Sequence, residues 1–386
     1  MKRIYLDHAA TTPVRPEVVE AMLPYLQERW GNPSSLHADG STALEGVERA
    51  RGHVASLLGA QPDEIIFTGS GTEADNRALI GVSAAYAEKG RHIITSMIEH
   101  HAILDTAKFL ERQGARVTYL PVDPVGRVDP ASVREAMTED TVLVSIMHAN
   151  NEVGTVQPID EIGAICRERG VLFHTDAVQT AGHLPINVRE ANIDLLSLSA
   201  HKLYGPKGVG ALFVRKGRRL PSFVHGGGQE RGRRASTENV PGIVGLGEAA
   251  RLAAGEMESE SAHNAALRDR LIAGLLDRVS EVRLTGDPVR RLPNNASLCV
   301  AGAEGESLLL NLDLEGISVS SGSACASGSL EPSHVLLAMG IPADVARGSL
   351  RVTVGRDTTP EEISRFLEVC PTVVDRLRKM APLSPA

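Results

Sequence analysis

Cysteine is scarce in this chain of 386 residues, with four in all, at positions 166, 299, 325 and 370. No two form a C-x-x-C pair, which excludes a zinc knuckle and a thioredoxin-type motif. Disulfides are not expected in a reducing compartment, and one thiol stays a candidate for reactivity. Positive charge is short too: 40 Lys and Arg face 48 Asp and Glu, a net charge of -8. The one basic cluster is Arg231-Gly232-Arg233-Arg234. Direct nucleic-acid binding is therefore not expected, although that cluster could serve a phosphate or an acidic partner. No apolar run approaches the roughly 18 residues of a membrane span, so no membrane association is expected. The N-terminus enters a strand-like pattern at once, without an apolar signal core, and a cytoplasmic location is expected. Internal repeats and low-complexity tracts are lacking.

What is present suffices for a large core. The chain is 42% hydrophobic and 23% charged, which suggests one large domain and a smaller one. From residue 16 onward, helical and strand-like stretches alternate. Pro16 to Gln27 reads as a helix with Val18, Val19, Met22, Leu23 and Leu26 on one face. A second helix reads from about Gly40 to Leu58. Strands follow near residues 64–68, 92–96, 116–120, 142–147, 171–176 and 193–198, with helices between most of them. Residues 209–214 return antiparallel or at an edge. The βα order predicts a mostly parallel sheet with helices on both faces. A long Ala- and Leu-rich helix spans 240–279, and a domain boundary is placed in it near residue 260. The large domain is thus 15–260, and 1–14 with 261–386 form a smaller α+β domain.

The chain is organised around Ser199-Ala200-His201-Lys202, where a buried strand opens into a Gly/Pro turn. A lysine there sits at the carboxyl edge of an α/β sheet, where ligands bind. Partly desolvated, it can form a Schiff base with an aldehyde. Taken alone, such a lysine is more often a solvated turn residue, since lysine is rarely buried; its company reverses that reading. Gly69-Ser70-Gly71-Thr72-Glu73 joins a strand to a helix expected from Ala74, an arrangement that cradles one phosphate. Neither a Walker loop nor a full G-x-G-x-x-G is present. Asp176 ends another strand, with Gln179 just beyond. Lysine, cradle and strand-end acid together fit pyridoxal 5'-phosphate (PLP), which needs a Schiff-base lysine and an acid at its ring nitrogen. Lys202 would carry the aldehyde, and Asp176 the ring nitrogen. Gly71, Thr72, Ser199 and His201 would take the phosphate, and Gln179 the phenolic oxygen. His100 would stack on the ring and shuttle protons, or else form a solvated turn pair with His101.

Cys325 lies in Ser320-Ser321-Gly322-Ser323-Ala324-Cys325-Ala326-Ser327-Gly328, small loop-forming residues that suit an accessible nucleophile. Cys166 and Cys299 read as packing. Arg351 and Arg356 are candidates to grip a substrate carboxylate, or to pair with an acid. The Gly-rich basic loop 225–237 reads as a flexible surface connection.

These motifs resemble those of the cysteine desulfurases, PLP enzymes that supply sulfur for iron–sulfur clusters and thio-modified tRNA. The likeness runs through Gly71-Thr72-Glu73, Glu99-His100, Asn150-Asn151-Glu152, His174 to Gln179, His201-Lys202 and Gln229-Glu230-Arg231-Gly232. Ser320 to Cys325, with Ser329-Leu330-Glu331-Pro332-Ser333, is its most specific piece. The resemblance implies an aspartate-aminotransferase-like fold (fold type I) and a homodimer in which Thr237 reaches the partner's cofactor phosphate. It implies L-cysteine as substrate, L-alanine as product, and a persulfide on Cys325 passed to an iron–sulfur scaffold or other acceptor protein. Arg351, helped by Asn151, would hold the substrate carboxylate. No resident metal is expected, although Cys325 would meet a cluster through its persulfide. His101 stands where relatives tend to have Pro or Lys, with little effect expected on the chemistry. Two other readings stay open, a selenocysteine lyase and a non-catalytic scaffold of the same fold.

Overall fold

The computed structural model describes residues 3–322 and 331–380. Its centre is a seven-stranded sheet, in spatial order β2 (Ile65–Thr68), β8 (Gly210–Val214), β7 (Leu195–Ser199), β6 (Leu172–Asp176), β5 (Thr141–Ser145), β3 (His92–Ser96) and β4 (Arg116–Leu120). Five of them, β7 through β4, are mutually parallel. β8 runs antiparallel to both neighbours, so β2 again points with the majority. The antiparallel return thus lies inside the sheet rather than at its edge.

Strands buried on both faces read as continuous apolar runs, which is why Ile193 to Leu198 shows no alternation. Within them the two-residue period still sorts side chains. Leu196 and Leu198 join one hydrophobic cluster, and Leu195 joins the other. On the first face pack α1 (Pro16–Gln27), α2 (Ala38–Leu58), α6 (Ile159–Arg169) and the start of α7 (Val240–Arg278). On the second pack α3 (Gly71–Ala85) and α4 (His101–Arg112).

A separate core forms around β9 (Val282–Leu284), β10 (Asn295–Val300) and β12 (Ser349–Thr353), an antiparallel sheet covered by α8 (Gly305–Leu314) and α11 (Pro360–Met380). α7 links the two cores. Its 39 residues span about 58 Å at 1.5 Å per residue. Residues up to Met257 pack on the first core, and Leu267, Leu271 and Leu275 on the second. The N-terminus joins the second: β1 (Ile4–Tyr5) pairs in parallel with β11 (Ile317–Ser318), and Leu6 is buried there. A smaller cluster containing Ile98, Met147, Cys299 and Leu336 closes the seam between them.

Three local expectations need correction. α1 buries Val18 and Tyr25, while Val19, Leu23 and Leu26 face outward at 42%, 40% and 60% exposure. α3 begins at Gly71, not Ala74, because Ser70 caps it: Ser70 Oγ accepts from Glu73 N–H at 3.0 Å. The loop 225–237 is not merely a surface connection. Its Glu230 is buried against Arg51, with Nη1 at 2.8 Å and Nη2 at 2.9 Å, and also accepts Phe67 N–H at 3.0 Å.

Candidate active site

The carboxyl ends of β3, β5, β6 and β7 gather along one rim, as the parallel order requires. They border a cavity of about 430 Å³ that also receives the N-terminus of α3 and residues from the second core. β7 ends at Ser199, and a single 3₁₀ turn, Ala200–Lys202, swings the lysine into this cavity. Lys202 Nζ donates to the Ala10 carbonyl at 2.8 Å and to that of Ala9. The ammonium is therefore held by the segment 9–10, a contact absent from the expectations above.

Asp176 ends β6 and faces the same cavity. Its Oδ1 accepts from Val178 N–H at 2.9 Å. Burial raises its pKa, and the nearby His100 and Lys202 act the other way. Gln179, just beyond, donates from Nε2 to the Ala9 carbonyl at 3.0 Å.

The turn from β2 into α3 places Ser70, Gly71 and Thr72 on the cavity wall. The first amides of α3 have no intrahelical acceptors, so Gly71 and Thr72 present N–H groups to an anion. Gly71 is required by space: a Cβ there would stand 2.8 Å from Val178 Cγ2 and 3.3 Å from Ser199 Cβ. Ser199, His201 and Lys207 line the adjoining wall. Glu73 steadies the turn, accepting Gly69 N–H at 2.7 Å while Arg234 holds its carboxylate at 2.9 and 3.0 Å.

His100 caps α4, its Nδ1 accepting Ala102 N–H at 3.1 Å. The neutral ring therefore carries its hydrogen on Nε2. Burial lowers its pKa, which favours that neutral form. His101 beside it is exposed. From the other core, Arg351 on β12 reaches the cavity beside Asn151. Its Nη2 donates to Asp7 Oδ1 at 3.1 Å and its Nη1 to the Asn151 carbonyl at 2.9 Å. Among the described residues its Nε is buried without a partner.

The structure thus brings together Gly71, Thr72, His100, Asn151, Asp176, Gln179, Ser199, His201, Lys202 and Arg351. Thr237 is not among them. It lines a separate cavity of about 220 Å³ with Arg234 and Gly69, behind the cradle. Arg356 also lies outside the main cavity, with Nε 3.1 Å from Asp357 Oδ1. Cys325 lies outside the described residues. The other three cysteines are buried, with pKa values raised by burial, which suits packing rather than nucleophilic attack. Among the described residues no cluster of three or more His, Cys, Asp or Glu is placed to hold a metal, and no helix is long and apolar enough to cross a membrane. Sequence reading overlooked Asp75, fully buried in the cavity wall, and the Asp7–Ala10 segment that receives Lys202 and Arg351.

The donor set tests well against PLP. The lysine, the buried aspartate and the anion cradle face one cavity, and a side chain on Gly71 would fill the cradle. The fold is that of fold type I PLP enzymes, with a mostly parallel central sheet. Comparison with known proteins agrees. Residues 4–366 match the family described as aminotransferase class-V. The chain belongs to that family and is a PLP-dependent enzyme. A cysteine desulfurase IscS from Methanosarcina thermophila is 56% identical over 384 residues, covering 100% of this chain and 95% of the relative. A solved NifS-like protein superposes with a TM-score of 0.92 at 39% identity, covering 97% of this chain and 100% of that one. Another, titled SspA in complex with cysteine, gives 0.80 at 37% identity, over 92% of this chain and all of that one.

Proposed function

We propose that the protein is a cysteine desulfurase, which converts L-cysteine to L-alanine and passes the sulfur onward for iron–sulfur cluster assembly and other thiolation. The observation that carries this reading is the convergence of Lys202, Asp176 and the α3 cradle with Arg351 in one cavity, in a chain matched end to end by cysteine desulfurases.

PLP, when bound, takes up the substrate amine and draws electrons from its α-carbon. The chain's own residues do the rest. The helix N-terminus at Gly71 and Thr72, with Ser199 and His201, binds the phosphate. Asp176 carries the negative charge opposite the ring nitrogen, and Gln179 lies within reach of the phenolic side. Lys202 would hold the aldehyde of the cofactor, and its amine, lining the same cavity, would be placed to move protons. His100 would pack against the ring, and any proton it exchanges would pass through Nε2, because Nδ1 is spent on Ala102. Arg351 binds the substrate carboxylate through the guanidinium edge that Asp7 and Asn151 leave open, with Asn151 alongside. Cys325, as a thiolate, would attack the substrate sulfur: the S–S bond forms as the substrate Cβ–S bond breaks, the electron pair left on Cβ takes a proton to give the methyl of alanine, and the resulting persulfide passes to an iron–sulfur scaffold or other acceptor protein.

The working unit of this proposal is a cytoplasmic homodimer. Thr237 faces away from its own site, as expected if it serves the partner's phosphate. The outward apolar face of α1 supports a second copy as its cover, since a contiguous exposed patch of this kind marks an interface. Residues 15–260 form the cofactor-binding body, and 1–14 with 261–386 the smaller one. Incubating the full chain, PLP and L-cysteine with a reductant tests the function. Alanine is expected from wild type and none from Lys202→Ala; equal yields would overturn the reading.

A further inference from the structure

Asp75 stands four residues after Gly71 on α3, so both project from the same face of the helix. It is 1% exposed and lines the cavity with Asp176 and Lys202. Among the described residues its Oδ1 has no hydrogen-bond partner. The nearest base is His174 Nε2, at 3.7 Å. That histidine is bonded to Ser197 Oγ at 3.0 Å and to Ser145 Oγ at 2.8 Å. Burial holds it down to about 3, so it is neutral and offers Asp75 no counter-charge.

A buried carboxylate with one oxygen unpartnered and a single hydroxyl donor is costly, and two facing one cavity repel. One negative charge is stable there, not two. Asp176 is the member equipped to keep it. The Val178 amide donates to it, and His100 from the cap of α4 and Lys202 from the turn after β7 favour its ionised form. Asp75 is faced by Asp176 on β6 and by Glu99 before α4, both acidic, with only the Ser197 hydroxyl of β7 acting the other way. Burial and these neighbours raise its pKa well above the carboxylate range. Asp75 therefore holds the proton.

We propose that Asp75 is a positioning residue for the cofactor's ring nitrogen: its carboxyl shares the cavity wall with Asp176 and limits the pair to one negative charge, held on Asp176 and turned toward the ring. The proposal rests on the cofactor reading above. Removing the side chain opens the wall and lets Asp176 turn or take up water. An amide keeps volume, neutrality and a donor.

The test is a titration of PLP-stripped, full-length protein with PLP, read by the visible absorption of the bound cofactor and repeated across pH. Asp75→Asn should bind PLP within about twofold of wild type, while Asp75→Ala should bind roughly tenfold more weakly, about 1.4 kcal/mol. The pH midpoint of the visible band should fall by about one unit in Asp75→Ala and stay put in Asp75→Asn, because Asp176, once free to turn, brings less negative charge to the ring. A purely structural role would lower thermal stability without moving that midpoint. Should Asp75→Ala give no soluble protein, Asp75→Ser, smaller but still a donor, is expected to behave like Asp75→Asn. Wild-type affinity and midpoint in Asp75→Ala overturn the inference, as does equal weakening in Asp75→Asn and Asp75→Ala. Wild type that takes up no PLP overturns the cofactor reading itself.

Discussion

Arg351 and Asp7 lie 344 residues apart in sequence, yet the guanidinium Nη2 donates to Asp7 Oδ1 at 3.1 Å. Arg351 is nearly fully buried, so this pair and the Asn151 carbonyl fix its orientation before any substrate arrives. Lysine is a point charge and cannot serve Asp7, Asn151 and a substrate carboxylate from one plane. Arg351→Lys is expected to raise KM for L-cysteine by about tenfold with a smaller change in kcat. An unchanged KM would remove Arg351 from substrate recognition.

Glu99 gives a pH signature. Its carboxyl is fully buried, and burial pushes it up to about 8, although Ser96 Oγ donates at 2.6 Å and Met147 N–H at 3.1 Å. The folded chain then binds a proton that the unfolded chain has released above about pH 4.3. Stability attributable to Glu99 is greatest at low pH and falls as pH rises through about 8. His148 and His174, held down to about 4 and about 3 by burial, act with the opposite sign at lower pH. Glu99→Gln should flatten the decline of Tm across the neutral range. Identical slopes in both proteins would show that Glu99 is not the group responsible.

The Arg51–Glu230 pair pins the loop that carries Thr237 onto β2. Both side chains are buried, so removing one leaves an uncompensated charge, a loss of about 3–5 kcal/mol. Glu230→Ala should lower Tm by several degrees, and Arg51→Met with Glu230→Met should recover most of it. Thermal unfolding of Arg51→Met, Glu230→Met and their combination measures this; additive losses would mean the two residues do not act as a pair.

Leu23 and Leu26 carry the dimer expectation. Wild type should elute as a dimer in light-scattering chromatography, and Leu26→Glu should shift it toward monomer with loss of activity. A variant that stays dimeric and active would place the interface elsewhere.

Much of this was readable before the structure. The sheet was legible because its strands are short apolar runs bounded by glycine and polar turns, and the parallel order follows from the intervening helices. The rim residues followed from topology, since side chains just after parallel strands converge whatever lies between them. Three things were not legible. Starting α3 at Ala74 hides Asp75, whose relation to Gly71 appears only when Ser70 is recognised as the cap. The stripe on α1 looks like core because apolar periodicity does not say which surface covers it. The contacts of Asp7, Ala9 and Ala10 depend on the N-terminus crossing to β11 and on the meeting of the two cores, pairings that local pattern does not encode.

The most direct test of the central claim is a single-turnover reaction of the holoenzyme with L-cysteine, without acceptor or reductant, comparing wild type with Cys325→Ala. The account predicts about one alanine and one protein-bound persulfide per site from wild type, as a covalent carrier requires, and little of either from Cys325→Ala. Equal alanine from both, with free elemental sulfur in place of protein-bound persulfide, would contradict it.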